Sequence, residues 1–331
     1  MSKSQQLRTI AIEEHYIDPI FVDKIPIYQK SSKLIISKLL ASNEERILDM
    51  DSSGIDMQIL SHNHPGAQIL ARDLAVETAR TINDNLMRRI EKNPDRFGGF
   101  ATLPMLFPEE AARELERCVI ENGFCGAMLH GTLKGEFFDE KKYWGVFETA
   151  EKLGKPIYLH PGDPIPAVTE AYYKDYIQDF PLINSAAWGF NVETSTAAVR
   201  LILSGIFSKL PNLKIILGHM GEGLPFMLKR CHAGFSTRRS PEKPFIDFIG
   251  IFRKNFFISS SGNFSDSALL CSLLEIGANK IMFAVDWPYN SSLEGTNWIM
   301  SADLSSEDLK KITYSNAVNV LGIVEPKQVA H

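Results

Sequence analysis

Six of the chain's eight histidines, His15, His62, His64, His130, His160 and His219, stand at or just past the carboxyl end of a run that reads as a β-strand, and Asp286 stands in the same relation to the last such run. Imidazoles and carboxylates collected at strand ends are what a metal-centred active site on a barrel rim requires. Four segments carry the pattern: IEEHY at 12–16, IYLHP at 157–161, ILGHMGEG at 216–223 and FAVDWP at 283–288. In the first, Glu13 and His15 are one residue apart, so an extended backbone sends both side chains to one side while Glu14 points away. His160 follows PIYL and Asp286 follows IMFAV, which brings a third and a fourth ligand to the same rim. A mixed nitrogen and oxygen set favours zinc or manganese over a thiolate-selected metal without separating the two. The competing reading is four unrelated polar strand ends that cap helices or pair across loops.

His219 has a different chemical setting, because the GEG that follows places Glu222 close behind it. A carboxylate partner holds one ring nitrogen protonated and raises the basicity of the imidazole, leaving the other nitrogen to exchange a proton near the metal. The alternatives are a direct metal ligand or a structural histidine. The remaining polar markers are weaker. His62 and His64 share a face if SHNH is extended, but Pro65-Gly66 turns the chain at once, so they read as pocket contacts or hydrogen-bonded rim elements and not as a second metal site. Trp188 and Glu193 in WGFNVET are candidates for holding a planar substrate; a hydrophobic lid and a helix-start residue are the alternatives. Ser259, Ser260, Ser261 and Asn263 follow the seventh strand as small polar rim groups, with no local pattern for a serine nucleophile.

The elements that must position these residues are legible as short strands separated by helical patterns. Candidate strands are Thr9–Glu13, Asp56–Ser61, Gly98–Leu103, Gly126–Leu129, Pro156–His160, Lys214–Gly218, Phe256–Ser260 and Lys280–Val285. Stretches 70–92, 108–122, 141–153 and 305–321 repeat apolar residues at three- and four-residue intervals, as helices covering a sheet do. Pro108 and Glu109 mark a helix start and Gly123 a stop. Eight strands alternating with helices is the count of a closed (β/α)₈ TIM barrel, and residues 1–331 are expected to form one such domain with short helical and loop insertions. An open doubly wound sheet accounts poorly for polar residues after nearly every strand.

A chain of 331 residues with 44% hydrophobic content can bury a large core. A net charge of −5 without a long basic run argues against a nucleic-acid partner. No apolar stretch approaches the roughly 20 residues that cross a bilayer, and the first residues, MSKSQQLRT, lack a signal-peptide core. Cys118, Cys125, Cys231 and Cys271 show no CxxC spacing, so a reducing cytoplasm is expected, with the cysteines as buried small hydrophobes.

The segments AIEEHY (11–16), NPDRFGGFATLPM (93–105), LERCVIENGFCGAMLHG (115–131), KPIYLHP (155–161), LILSGIFSKLPNLKIILGHMGEGLPFMLKR (201–230), SSSGNFS (259–265) and LEIGANKIMFAVDWPY (274–289) together resemble the amidohydrolase superfamily. The resemblance is to its branch of metal-dependent, non-oxidative decarboxylases, which includes aminocarboxymuconate semialdehyde decarboxylase and the γ-resorcylate, dihydroxybenzoate and carboxyvanillate decarboxylases. Glutamate in the first position of the opening motif, as Glu13 stands here, is the form often found in the aromatic-acid decarboxylases. The resemblance implies a distorted barrel of the amidohydrolase type holding one divalent ion, Zn²⁺ or Mn²⁺, through Glu13, His15, His160 and Asp286. It implies His219 as an active-site histidine with Glu222 behind it, a small aromatic carboxylic acid as substrate, and a homodimer or homotetramer. It also implies loss of carbon dioxide after protonation of the carboxylate-bearing ring carbon. Asp286 is the first candidate to deliver that proton and His219 to organise or replenish it; the competing route makes His219 a base that activates water for hydrolysis of a small cyclic or carbonyl substrate. A non-enzymatic ligand-binding protein is the distant alternative.

Three departures bear on the substrate. The His-Pro-Arg common in γ-resorcylate decarboxylases reads His160-Pro161-Gly162-Asp163, which removes a positive group and adds a negative one. A position usually occupied by asparagine is His130, expected to contact a substrate oxygen or to support another residue. After LPFML the chain reads Lys229-Arg230-Cys231-His232 in place of an Asp-His pair, and Arg230 is expected to recognise a carboxylate or brace a subunit contact.

Overall fold

Every one of the eight expected runs forms a strand: β1 (Ile10–Tyr16), β2 (Met57–His62), β3 (Phe97–Gly99), β4 (Ala127–His130), β5 (Ile157–His160), β6 (Ile215–Leu217), β7 (Phe256–Ser259) and β8 (Ile281–Met282). The computed structural model describes residues 8–22, 32–237, 239–242 and 244–324, without the side chains of Arg72 and Asp73. All strand pairs are parallel, in a sheet β1-β2-β3 and a sheet β4-β5-β6-β7-β8. Single bridges join the two into a ring, Ala101 to Ala127 on one side and Glu14 to Trp287 on the other. The second junction is reinforced by the N–H groups of His15 and Asp286, which donate to Trp287 (2.7 Å) and Glu13 (3.0 Å) carbonyls. This is a distorted TIM barrel, and parallel pairing puts all strand carboxyl ends on one rim.

The distortions sit where the strand expectations miss. β3 stops at Gly99 because the chain turns to the β4 side, and Thr102 exchanges backbone bonds with the Asn83 side chain (3.0 Å each way). β8 is two residues long, and from Phe283 onward the backbone bonds to Ile312, to β1 and to Gly262 instead of continuing the ladder with β7. β1 runs three residues past its expected end, and its register against β2 slips between Ala11 and Glu14. That bulge has a functional consequence. Ile10 and Ile12 face the barrel interior with Met57, Ile59, Met128, Tyr158, Ile216 and Met282; strict alternation would then aim Glu13 and His15 outward. One extra residue resets the phase, so Ile12 and Glu13 both face in.

Helices Arg72–Glu91, Pro108–Ile120 and Trp144–Lys152 fall on the expected stretches. Pro108 lies in its helix's first turn, where a missing N–H costs nothing, and Leu115 on the same helix is fully buried, a contribution of about 2 kcal/mol. The last expected helix is broken into Ser306–Lys310, a π turn at Lys311–Ser315 and Asn316–Leu321. Its end closes the barrel from below: Val320 and Leu321 pack into the interior cluster, and Asn316 donates to the carbonyls of Ala278 and Ile281 (2.7 Å each). Among the described residues no helix is long and apolar enough to cross a membrane.

Candidate metal centre and active site

Glu13 and His15 from β1, His160 from the end of β5 and Asp286 after β8 bring one donor atom each to within 4.8 Å of one another. Two of these atoms, Glu13 Oε1 and His15 Nε2, are buried without a hydrogen-bond partner among the described residues. Buried polar atoms are left unsatisfied at a cost of about 1–3 kcal/mol each, so a cluster of orphaned acceptors facing one point fits a cation. Glu13 Oε1 lies 3.5 Å from His160 Nε2 and 3.9 Å from His15 Nε2, and Asp286 Oδ1 lies 3.2 Å from His15 Nε2. A divalent metal-binding site of Glu, His and Asp donors is present.

Each donor is held from behind. The other Glu13 oxygen accepts from the Tyr158 hydroxyl and from Ser259 (3.2 Å). Burial and the Glu13 charge push the Tyr158 phenol well up, so it stays a donor. A Cβ on Gly218 would stand 2.8 Å from that same carboxylate oxygen, and only glycine lets β6 pass so close. Ser61 bonds His15 Nδ1 at 3.0 Å, leaving Nε2 to face the cluster. His160 Nδ1 is shared between the Pro161 carbonyl (2.8 Å) and His130 Nδ1 (3.0 Å), while His130 Nε2 reaches the His62 carbonyl (3.1 Å). The consistent tautomers run His160 Nδ1–H to His130, and His130 Nε2–H to His62, with the His160 Nε2 lone pair free for a metal. Burial, then neighbouring imidazoles, hold both rings well below the usual histidine range and therefore neutral.

His219 and Glu222 lie on a left-handed turn: φ is 49° at His219, 57° at Met220, 73° at Gly221, 55° at Glu222 and 75° at Gly223. Three consecutive-turn residues with a Cβ in this region are disfavoured, and the strain is over-determined by bonds from Met220 N–H to Ser259 (2.8 Å), Ser195 to the Glu222 carbonyl (2.6 Å) and Asn263 to the His219 carbonyl (3.5 Å). One left-handed turn brings residues three apart together, so His219 Nδ1 meets Glu222 Oε1 at 2.8 Å and Nε2 faces Asp286 Oδ2 at 3.8 Å. Burial opposes a charged ring, but Glu222, Glu13 and Asp286 surround His219 and raise it well above the usual range. Burial alone would raise Asp286, yet His15 and His219 hold its carboxyl below the usual carboxylate range.

The other expected residues divide. His130 is buried with both ring nitrogens engaged. Glu193 lines a small space beside His160 with Leu129, Gly131 and Thr132, and burial raises its carboxyl. His64 lies 3.8 Å from Asp163 and stands edge-on to His130 and Phe190. Trp188, 58% exposed, and Arg230, also exposed, are outside the buried cluster. Ser259 and Ser260 are tied to Glu13 and to the Ala284 backbone. Tyr158 and Glu14 are site residues that strand-end reasoning passes over; Tyr158 was findable, because it is two residues before His160 and faces the same way.

His62 faces outward, packed against Tyr16 and Phe21, and accepts the Asp18 N–H at 3.2 Å. Burial drives it from the usual 6.5 down to about 4. A depressed folded-state value means the unfolded chain binds the proton more readily, so its stabilisation is full above about 6.5 and is lost as pH falls towards 4, up to about 3 kcal/mol. Urea unfolding of the metal-free protein is expected to show this acid-side slope flattened in His62→Gln; an unchanged slope would refute the assignment.

A parallel eight-strand barrel with Glu-x-His on β1, histidine at the end of β5 and aspartate after β8 defines an amidohydrolase-type metal enzyme, and the chain belongs to the amidohydrolase superfamily, whose family model "Amidohydrolase" matches residues 40–323. Within it the chain is closely related to the γ-resorcylate and dihydroxybenzoate decarboxylases. It is 39% identical to the γ-resorcylate decarboxylase of Polaromonas sp. (strain JS666) over 322 residues, covering 94% of this chain and 97% of that one. A crystal structure of the dihydroxybenzoic acid decarboxylase from Polaromonas sp. JS666, with bound manganese and the inhibitor 2-nitroresorcinol, superposes with a TM-score of 0.89 at 37% identity over 98% of this chain and 99% of that one. The 5-carboxyvanillate decarboxylase of Novosphingobium aromaticivorans, complexed with manganese and 4-hydroxy-3-methoxy-5-nitrobenzoic acid, gives 0.88 at 29% identity over 97% and 98%.

Proposed function

We propose that the protein is a metal-dependent, non-oxidative decarboxylase of a phenolic or related planar aromatic acid. The observation that carries this reading is the buried Glu13, His15, His160 and Asp286 set facing the His219–Glu222 pair. The four donors hold one divalent ion per subunit; the donor types suit Mn²⁺ or Zn²⁺, and the manganese in the Polaromonas and Novosphingobium structures favours Mn²⁺. Bound there, the ion supplies the positive charge that draws a phenolic oxygen and the adjacent carboxylate to one side of the rim.

The proton is the protein's part. His219 stores it at rest, held charged by Glu222, with Nε2 toward Asp286 Oδ2 at 3.8 Å. Asp286 passes it to the ring carbon that bears the carboxylate. The carbon–carbon bond then breaks, its electron pair restores the aromatic ring, and carbon dioxide leaves. His219, whose side chain is partly exposed, takes up a proton from solvent and passes it to Asp286 for the next cycle. His130 acts by orienting His160, since both its ring nitrogens are taken. Glu193 bounds the substrate space beside His160. The Asp163 carboxylate near His64 favours a ring hydroxyl there and disfavours a second carboxylate.

Residues 1–331 form one barrel unit in this reading, supported by the bonds between β1 and the segment after β8. A homodimer or homotetramer is supported by Tyr172, Tyr176, Phe180, Leu182 and Trp188, all more than half exposed on one insertion; Arg230 is a further candidate for the subunit face. A cytoplasmic location fits four free cysteines. Metal-loaded protein offered ortho-hydroxybenzoic acids and small lactones, with carbon dioxide and hydrolysis products measured separately, is expected to release carbon dioxide from a phenolic acid. Hydrolysis without carbon dioxide would make the protein a hydrolase, and binding with neither reaction would make it non-enzymatic.

A further inference from the structure

Glu14, the residue between the two β1 donors, is fully buried and takes no part in the donor cluster. Its two carboxylate oxygens accept the N–H groups of Val285 (2.9 Å) and Trp287 (3.3 Å), the residues on either side of Asp286. The Asp286 N–H donates to the Glu13 carbonyl at 3.0 Å. Three consecutive N–H groups are thus anchored on two consecutive residues of β1. Asp286 needs such anchoring, because its φ of 72° lies in the left-handed region that a side chain disfavours, and β8 ends four residues earlier.

Arg46, on helix Asn43–Ser53, braces the same junction. Its guanidinium is fully buried, donates to the His15 carbonyl and to Gln58 on β2 (3.2 Å), and lies over the Trp287 indole with 4.1 Å to the ring centre. A buried guanidinium is expensive unless its donors are used; Nη1 donates to Gln58 and Nη2 to the backbone of one proposed metal ligand, Nε has no partner among the described residues, and the group as a whole lies over the ring that follows another proposed ligand. Glu14 fixes the segment from the β1 side and Arg46 packs it from the helix side.

We propose that Glu14, braced by Arg46, is a positioning residue that locks the Asp286 backbone in its left-handed conformation and so presets the carboxylate toward the ion and His219. The proposal rests on Asp286 being a metal ligand. Glu14→Gln keeps the shape but replaces one accepting oxygen with an NH₂ facing a backbone N–H, removing one of the two tethers. Mn²⁺ titrated into metal-free protein, with free Mn²⁺ read by electron paramagnetic resonance, is expected to bind about 10–100-fold more weakly in this variant, the range for partners that orient ligands, while circular dichroism reports an intact barrel. A lowered melting temperature with wild-type Mn²⁺ affinity would make Glu14 merely structural and overturn the proposal. Asp286→Ala, which removes the donor oxygens altogether, separates the two claims in the same titration: wild-type affinity there removes the ligand reading itself, whereas loss there with none in Glu14→Gln defeats only the positioning role. Should Glu14→Gln fail to fold, Arg46→Lys, which cannot span the same three contacts, is expected to weaken Mn²⁺ binding several-fold, and unchanged affinity would overturn the proposal equally.

Discussion

His160→Ala and Asp286→Ala are each expected to cost more than about 100-fold in divalent-metal affinity, beyond the loss that follows when only an orienting partner is removed, and to abolish most turnover with it. The reason is geometric. Glu13 Oε1 and His15 Nε2 have no other bonding partner among the described residues, so the remaining donors cannot recruit a substitute from the protein when one is deleted. The barrel itself should survive, since Tyr158, Ser259 and Ser61 hold Glu13 and His15 through bonds that do not involve the deleted side chain. For Asp286, alanine adds a backbone penalty of about 1–2 kcal/mol at its left-handed φ, so Asp286→Asn, which tolerates that region and keeps one oxygen, belongs beside it. Elemental analysis with circular dichroism on matched samples checks the result; stoichiometric metal retained by both alanine variants would defeat the coordination set.

The strands were legible because each is a short β-branched or apolar run with a polar residue at its end or a few positions beyond, and a closed parallel ring follows from eight such runs alternating with helical patterns. The donors were legible for the same reason: a strand's carboxyl end is where its last inward residue meets the rim. What supports the donors was not. The β1 bulge that turns Glu13 inward is a matter of pairing register, which depends on a partner strand more than 40 residues away. The left-handed run from His219 to Gly223 is hinted at by Gly221 and Gly223, but nothing local requires His219, Met220 and Glu222 to follow them; Ser259, Ser195 and Asn263 do so from distant segments. His130, standing where an asparagine is usual, left two readings open, a contact to a substrate oxygen or support of another residue. Register places it opposite His160, where the imidazoles bond each other. Glu14 pointed away from the donors as alternation demands, and its target, the backbone around Asp286, is visible only once the ring has closed.

His219→Asn is expected to leave the metal in place and lower turnover by about 10²-fold or more, the range for lost general acid–base catalysis. His219 is outside the four-donor set, so its removal does not open the coordination sphere. Asparagine keeps a polar group and tolerates the left-handed φ of 49°, which limits damage to the turn. It cannot hold an exchangeable proton between Glu222 and Asp286, and in the route proposed that proton is the one delivered to the ring carbon. Glu222→Gln should cost less: the amide oxygen still accepts from Nδ1–H, so the ring keeps its orientation while losing the charge that favours the imidazolium. The pH profile distinguishes the two. Because the surrounding carboxylates raise His219, the charged ring is lost only as pH rises through its elevated value, and withdrawing the Glu222 charge should bring the alkaline decline in turnover to lower pH. Steady-state rates and metal content on the same folded samples give the answer; near-native turnover in metal-loaded His219→Asn would leave Asp286 to manage the proton without it.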